Sequence, residues 1–211
     1  MGVMFLIFKR AFDISTSLLA IILLSPLFIF LIFAVKVSSP GSVFFKQSRI
    51  GRHKNLFVML KFRTMRTDAP KDIPTHLLAD PDAYITPLGK FMRRTSLDEI
   101  PQIFNILKGD MSVVGPRPAL WNQDDLVAFR DQYGANDVRP GLTGLAQISG
   151  RDELPIAVKA AYDGEYVEKM SFLFDCRIIW RTVFKVAKSE GVKEGVKEEK
   201  AVEESVAGKN G

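Results

Sequence analysis

The chain has 211 residues, a net charge of +5 and a pI of about 9.3, enough for one domain of ordinary size with terminal segments. One cysteine excludes an internal disulfide; with only two histidines beside it, a zinc site of the usual ligand types is excluded too. A metal here would be a hard ion held by oxygen, and the basic balance suits anionic head groups, nucleotides or nucleic acid without choosing among them.

Residues 14–35 form a run of 22 residues without a charge, long enough to cross a bilayer core. Lys9 and Arg10 precede it, which makes a signal peptide the rival reading. The run is too long for a signal core, however, and no small-residue cleavage site follows. Ser25-Pro26 sits at its middle, where proline removes the helical hydrogen bond to Ile22. Basic residues flank both ends: Lys9 and Arg10 before, then Lys36, Lys46, Arg49, Arg52 and Lys54 after. If positive flanks stay cytoplasmic, the segment dips into the membrane, breaks at Ser25-Pro26 and returns. A kinked transmembrane helix is the other reading.

Residues 43–45 and 57–60 are β-prone, and the turn-rich residues 50–55 between them predict a hairpin or a bent arm. Residues 68–87 carry four prolines and read as a surface loop. Residues 102–108 have helical periodicity and stop at Gly109. Gly115-Pro116-Arg117-Pro118 is a stiff turn, and residues 122–132 are a polar helix. The turn at residues 139–144 leads into a strand-like stretch, 145–148. Two helices follow, 156–170 and 171–189. In the second, Arg177, Arg181, Lys185 and Lys188 share a face, which suits either an anionic membrane surface or simple packing with the charges in water. From Gly191 the chain is too polar to bury a core and reads as a disordered tail.

The adjacent acids Asp98 and Glu99 lie between Arg93-Arg94 and the apolar run after Pro101. Proline is tolerated at a helix start, so the helix is expected to begin near Glu99 or Ile100. Both carboxylates would then sit at a helix N-terminus, which favours ionised acids and bound phosphate. An ionised aspartate is the form that attacks phosphorus. The bland alternative is a capping box, Ser96-x-x-Glu99. Arginines that pair with phosphate are available at Arg63, Arg93, Arg94, Arg117 and Arg151, with Lys61 beside them, and two prolines hold the backbone of Arg117. No P-loop, dinucleotide or zinc motif occurs. The phenylalanines gather in the membrane run and core segments instead of interleaving with basic residues, so no nucleic acid partner is expected.

Together these segments resemble the bacterial sugar transferase family, the monotopic phosphoglycosyl transferases. The resemblance rests on Lys9-Arg10-x-x-Asp13, Ser25-Pro26, KFRTM from Lys61, the block from Thr95 to Pro118, RPGLTGLAQISGR from Arg139, and Ser171-Phe172-Leu173-Phe174-Asp175. It implies transfer of a sugar-1-phosphate from a UDP-sugar to undecaprenyl phosphate, a polyprenol phosphate, with release of UMP and with Mg2+ as cofactor. It implies Asp98 as nucleophile and metal contact, with Glu99 activating or positioning a reactant. It further implies that Lys61, Arg93, Arg117 and Arg151 serve the substrate phosphates and that Asp175 orients one of the arginines. Lys188 to Gly195 look like members that load an N-acetylated amino sugar such as N,N′-diacetylbacillosamine. The implied fold is α+β and mainly helical: a compact cytosolic transferase domain (37–190) on a re-entrant helix-break-helix membrane segment (1–36), with surface-lying amphipathic helices and a disordered tail (191–211). The implied place is the cytoplasmic face of a bacterial inner membrane. A catalytically silent, membrane-anchored binding module for glycan-assembly partners is the competing function.

Overall fold

The computed structural model describes residues 3–70, 80, 82–150 and 154–187. The expectations for Arg151, for Lys188 and for the tail fall outside these residues, as does half of the proline-rich loop.

Helix α1 (Val3–Ser38) carries the apolar run and continues through Pro26 as one helix, where an interruption was expected. The local reason is visible. Pro26 cannot donate to the Ile22 carbonyl, and the Ser25 hydroxyl donates to that same oxygen at 2.9 Å, so the helix goes on without an orphaned acceptor. One side of α1 is buried on the domain through Asp13, Ser17, Leu31 and Val35. The opposite side exposes Met4, Phe8, Leu19, Ile22, Leu23, Ile29, Phe30 and Phe33, a continuous apolar stripe that water would not favour.

Polar contacts fasten α1 at both ends. The Arg10 guanidinium donates to the carbonyls of Ile106 (2.6 Å) and Leu107 (2.8 Å), Asp13 accepts from Ser112 Oγ and Val113 N–H, and Lys9 meets Asp175 at 2.5 Å. At the far end Arg63 donates to the carbonyls of Val35, Ser39 and Pro40 and closes the helix C-terminus. Arg63 is thereby taken up in holding α1.

The expected hairpin is present as β1 (Phe44–Ile50) and β2 (Leu56–Phe62), antiparallel with Phe44 opposite Phe62. Its turn places His53 and Lys54 at positive φ. Strand β4 (Ala119–Leu120) pairs with β1 on its other edge, and β3 (Ser112–Val114) pairs in parallel with β5 (Gly141–Thr143). Phe28 of α1 packs against Phe44, Phe62 and Phe104, which joins the apolar helix, the sheet and α3 (Gln102–Lys108) in one core. Helix α3 ends at the expected stop, Gly109, which takes a left-handed φ of 98°.

One local expectation fails and one helix is additional to those expected. Residues 145–148 are helical, within α5 (Leu145–Ser149); all four are buried, and a short apolar run buried on every side has no period to separate helix from strand. Helix α2 (Pro87–Arg94) starts on the last residue of the expected loop and was not read from the sequence. Thr86 caps it by accepting from Gly89 N–H, and Pro87 takes the first helical position, a start signal hidden among the other prolines. The remaining helices are α4 (Asp124–Asp131), α6 (Ile156–Lys169) and α7 (Phe172–Ala187), close to the expected spans. On α7, Leu173, Trp180, Val183 and Phe184 are exposed beside Arg177 and Arg181 while Asp175 and Ile178 are buried. Exposed aromatic and basic side chains thus share this face.

Candidate active site

Asp98 and Glu99 stand on a short turn of their own, a 3-10 turn over Leu97–Glu99, and α3 begins only at Gln102 after Pro101. The expected helix start near Glu99 or Ile100 is therefore two to three residues early. Ser96 enters the turn in the left-handed region (φ 57°) and its side chain makes no cap, so the capping box is absent. Leu97 and Ile100 anchor the turn against Phe62 and Met92. With its apolar neighbours fixed inward, the turn aims both acids into a cavity of about 920 Å³ that their side chains help to line.

Asp98 is only 7% exposed. Lys61, from β2, sits 2.7 Å from Glu99 Oε1 and 3.8 Å from Asp98 Oδ2, and Arg117 Nη2 lies 3.6 Å from the same Glu99 oxygen. Arg93, on the last turn of α2, reaches the rim, where its Nε donates to Thr64 Oγ1 at 3.0 Å. Gly89 lets that happen, because a side chain there would strike the carbonyl oxygen of Thr64, 2.0 Å from an added Cβ. Burial pushes the Asp98 carboxyl above the ordinary aspartate range and Glu99 adds to this, while Lys61, Arg93 and Arg117 pull it down. In its ionised form, a carboxylate stripped of water is a strong nucleophile toward an electrophile that brings its own charge compensation.

Arg117 is held through its main chain. The three successive carbonyls of Pro116, Arg117 and Pro118 accept from Gly141 N–H (2.8 Å), Arg130 Nη2 (2.9 Å) and Arg49 Nη1 (3.1 Å). Gly115 is forced to be glycine by the same approach, since a Cβ would lie 2.4 Å from the Arg139 carbonyl oxygen. The stiff turn read from the sequence is thus fixed by three elements distant in the chain.

Of the residues singled out from the sequence, the structure brings Lys61, Arg93, Asp98, Glu99 and Arg117 to one cavity. Asp175 is elsewhere: it accepts from Lys9 and lies 2.9 Å from the Tyr166 hydroxyl, tying α7 to α1, and among the described residues it meets no arginine. Ser25 and Pro26 are on α1 and line no part of the cavity. Arg130 and Asp163, a buried ion pair at 2.5 Å in the cavity wall, were not legible from the sequence, because no local pattern links positions 33 apart on two helices.

Two adjacent carboxylates facing a cavity fit a hard divalent ion that takes one or two acids and completes its shell with phosphate and water. Among the described residues no third acidic, histidine or cysteine side chain joins them, so a dedicated all-protein cage is not built.

Comparison with known proteins gives the same direction. The family model described as bacterial sugar transferase matches residues 4–189. The exopolysaccharide production protein ExoY of Sinorhizobium fredii is 39% identical over 197 residues, covering 87% of each chain. The UDP-glucose:undecaprenyl-phosphate glucose-1-phosphate transferase of Escherichia coli is 40% identical over 190 residues, 84% of this chain and 39% of that one. The undecaprenyl-phosphate galactose phosphotransferase of Salmonella typhimurium is 37% identical over 198 residues, 87% of this chain and 41% of that one.

Proposed function

This chain belongs to the bacterial sugar transferase family and is a phosphoglycosyl transferase; from that premise we propose that it transfers a sugar-1-phosphate from a UDP-sugar to undecaprenyl phosphate and releases UMP. The observation that carries the proposal is the buried Asp98 beside Glu99, with Lys61 bridging both acids and Arg93 and Arg117 in the same cavity.

In the first step an Asp98 Oδ attacks the β-phosphorus of the UDP-sugar. A phosphorus–oxygen bond forms to Asp98, the bond to the α-phosphate oxygen breaks, and UMP leaves with the electron pair. In the second step a phosphate oxygen of the lipid attacks the same phosphorus and frees Asp98, giving a lipid diphosphate sugar. Arg93, Arg117 and Lys61 offset the charge that spreads over the phosphoryl oxygens. Glu99 holds Lys61 and Arg117 in place for that task. Magnesium, held by Asp98 with Glu99 adjoining, would supply further neutralisation of the diphosphate.

The acceptor is a lipid, and α1 and α7 suit it. Both ends of the apolar helix are bonded to one polar domain, by Arg10 and Asp13 at one end and by Arg63 at the other. A polar domain does not enter hydrocarbon, so this supports a re-entrant segment whose two ends lie on the same, cytoplasmic, side of the bacterial inner membrane. Labelling of Val3→Cys and Ser42→Cys in intact and permeabilised cells tests it; a position 3 site reached only from outside means a true span.

For the sugar, we take an N-acetylated amino sugar such as N,N′-diacetylbacillosamine, on the resemblance of the residues from Lys188 to Gly195. The relatives named for glucose and galactose set the rival donors. A panel of UDP-sugars, assayed for UMP release with undecaprenyl phosphate and magnesium, decides among them. Release from none would favour a silent binding module. Without acceptor, the right donor should give a burst of UMP no larger than the enzyme present, with the sugar phosphate on the peptide that carries Asp98. UMP released only with acceptor, and no adduct, would mean a single displacement.

A further inference from the structure

We infer that Arg130 and Asp163 are positioning residues for the reaction proposed above, acting through the main chain of Arg117. Arg130 (α4) is 5% exposed and Asp163 (α6) is 1% exposed. The Arg130 guanidinium places Nε (2.8 Å) and Nη2 (2.5 Å) on one oxygen of Asp163, and the same Nη2 donates to the Arg117 carbonyl at 2.9 Å. One rigid fork therefore spans an acid on α6 and the peptide that carries the arginine of the site.

A buried ion pair is a poor source of net stability, because desolvation of both charges offsets their attraction. Its geometry here has a better use. The planar guanidinium, fixed by Asp163, has a direction, and that direction is the carbonyl of the residue between two prolines. Those prolines already limit φ at 116 and 118 and disfavour the helical region at Gly115 and Arg117. The remaining freedom of the turn is a tilt of the Arg117 peptide, and that is the motion the Arg130 bond opposes. A tilt would swing the Arg117 side chain relative to Glu99, now 3.6 Å away. Misplacement of about 1 Å at a charged group of a phosphoryl-transfer site is costly in rate.

A double-mutant cycle separates this role from bulk packing. Arg130→Lys keeps a charge beside Asp163, so the fold is retained, but lysine cannot reproduce the fork. Asp163→Asn keeps an oxygen acceptor for Arg130 and serves as a second probe. In the wild-type background each should lower UMP release about tenfold, whereas in an Arg117→Ala background each should cost less than about twofold, because the group being positioned is gone. UDP binding, measured on the same proteins, gives a readout that needs no turnover and should show the same loss of additivity. Equal cost in both backgrounds, or no cost in the first, overturns the inference while leaving the proposed reaction intact. A wild-type protein that releases no UMP yet binds UDP with the expected non-additivity would keep the inference and remove the reaction. Wild-type protein with neither property removes both.

Discussion

Two lysine–carboxylate clusters in this molecule look alike on paper and differ in kind. Lys61 meets Glu99 at 2.7 Å and Asp98 at 3.8 Å; Lys9 meets Asp175 at 2.5 Å. Around Asp175 the surroundings are filled: Lys9 on one oxygen, the Tyr166 hydroxyl near the other, and that hydroxyl also 3.0 Å from the Val114 carbonyl. Burial beside Asp175 keeps Tyr166 a neutral hydroxyl. Nothing in that cluster opens on the large cavity, and it joins α7 to α1. The Lys61 cluster faces a cavity large enough for a nucleotide sugar, with two acids side by side whose mutual repulsion is only partly offset. A salt bridge with a filled surround holds structure. One that lines a void is poised for a ligand.

The sharpest break of this comparison is Asp98→Asn, which should abolish UMP release and adduct formation while the protein stays folded, since binding energy cannot replace a nucleophile. Wild-type activity in that variant ends the covalent mechanism. The other cluster should answer in the opposite currency. Lys9→Met leaves Asp175 buried without its cation and should destabilise the fold by about 3–5 kcal/mol, read as a lowered midpoint in denaturant. Full stability there would mean that Lys9 is dispensable as a tie between helix and domain.

Glu99→Gln should leave less than about a tenth of activity with little change in stability, because it loosens Lys61 and Arg117 without removing the nucleophile. The smallest effect is in pH dependence. In the proposed reaction Asp98 must be ionised to attack; burial raises its pKa, and Lys61 lowers it. Lys61→Met therefore moves the acid limb of kcat/KM to higher pH, with activity lost first at the acid end and regained as pH rises. A limb that stays in place would show that Lys61 is not felt by the nucleophile.

Much of the site was legible because its signals are local. The Asp98–Glu99 pair, the arginines around it and the proline-locked Arg117 sit within 25 residues of one another, at positions 93–117, and α3 with its stop at Gly109 follows from periodicity and one glycine. The apolar run of α1 announces itself by length alone. What local pattern carried less well was state: residues 145–148 became helix where a short apolar run looked strand-like, α2 hid behind prolines, and the acids took a turn of their own before the helix expected to present them.

Sequence alone determined the membrane-length helix, the hairpin, and the residues that gather as a basic, carboxylate-bearing cluster, because composition and short periods act between neighbours in the chain. Only the tertiary structure decided that Asp175 belongs with Lys9, 166 residues away, that Arg63 closes α1, and that Arg130 with Asp163 holds the Arg117 peptide. Buried charges must find partners wherever the packed chain places them, and the free energy that enforces each pairing comes from desolvation, which no residue experiences until the core around it has closed.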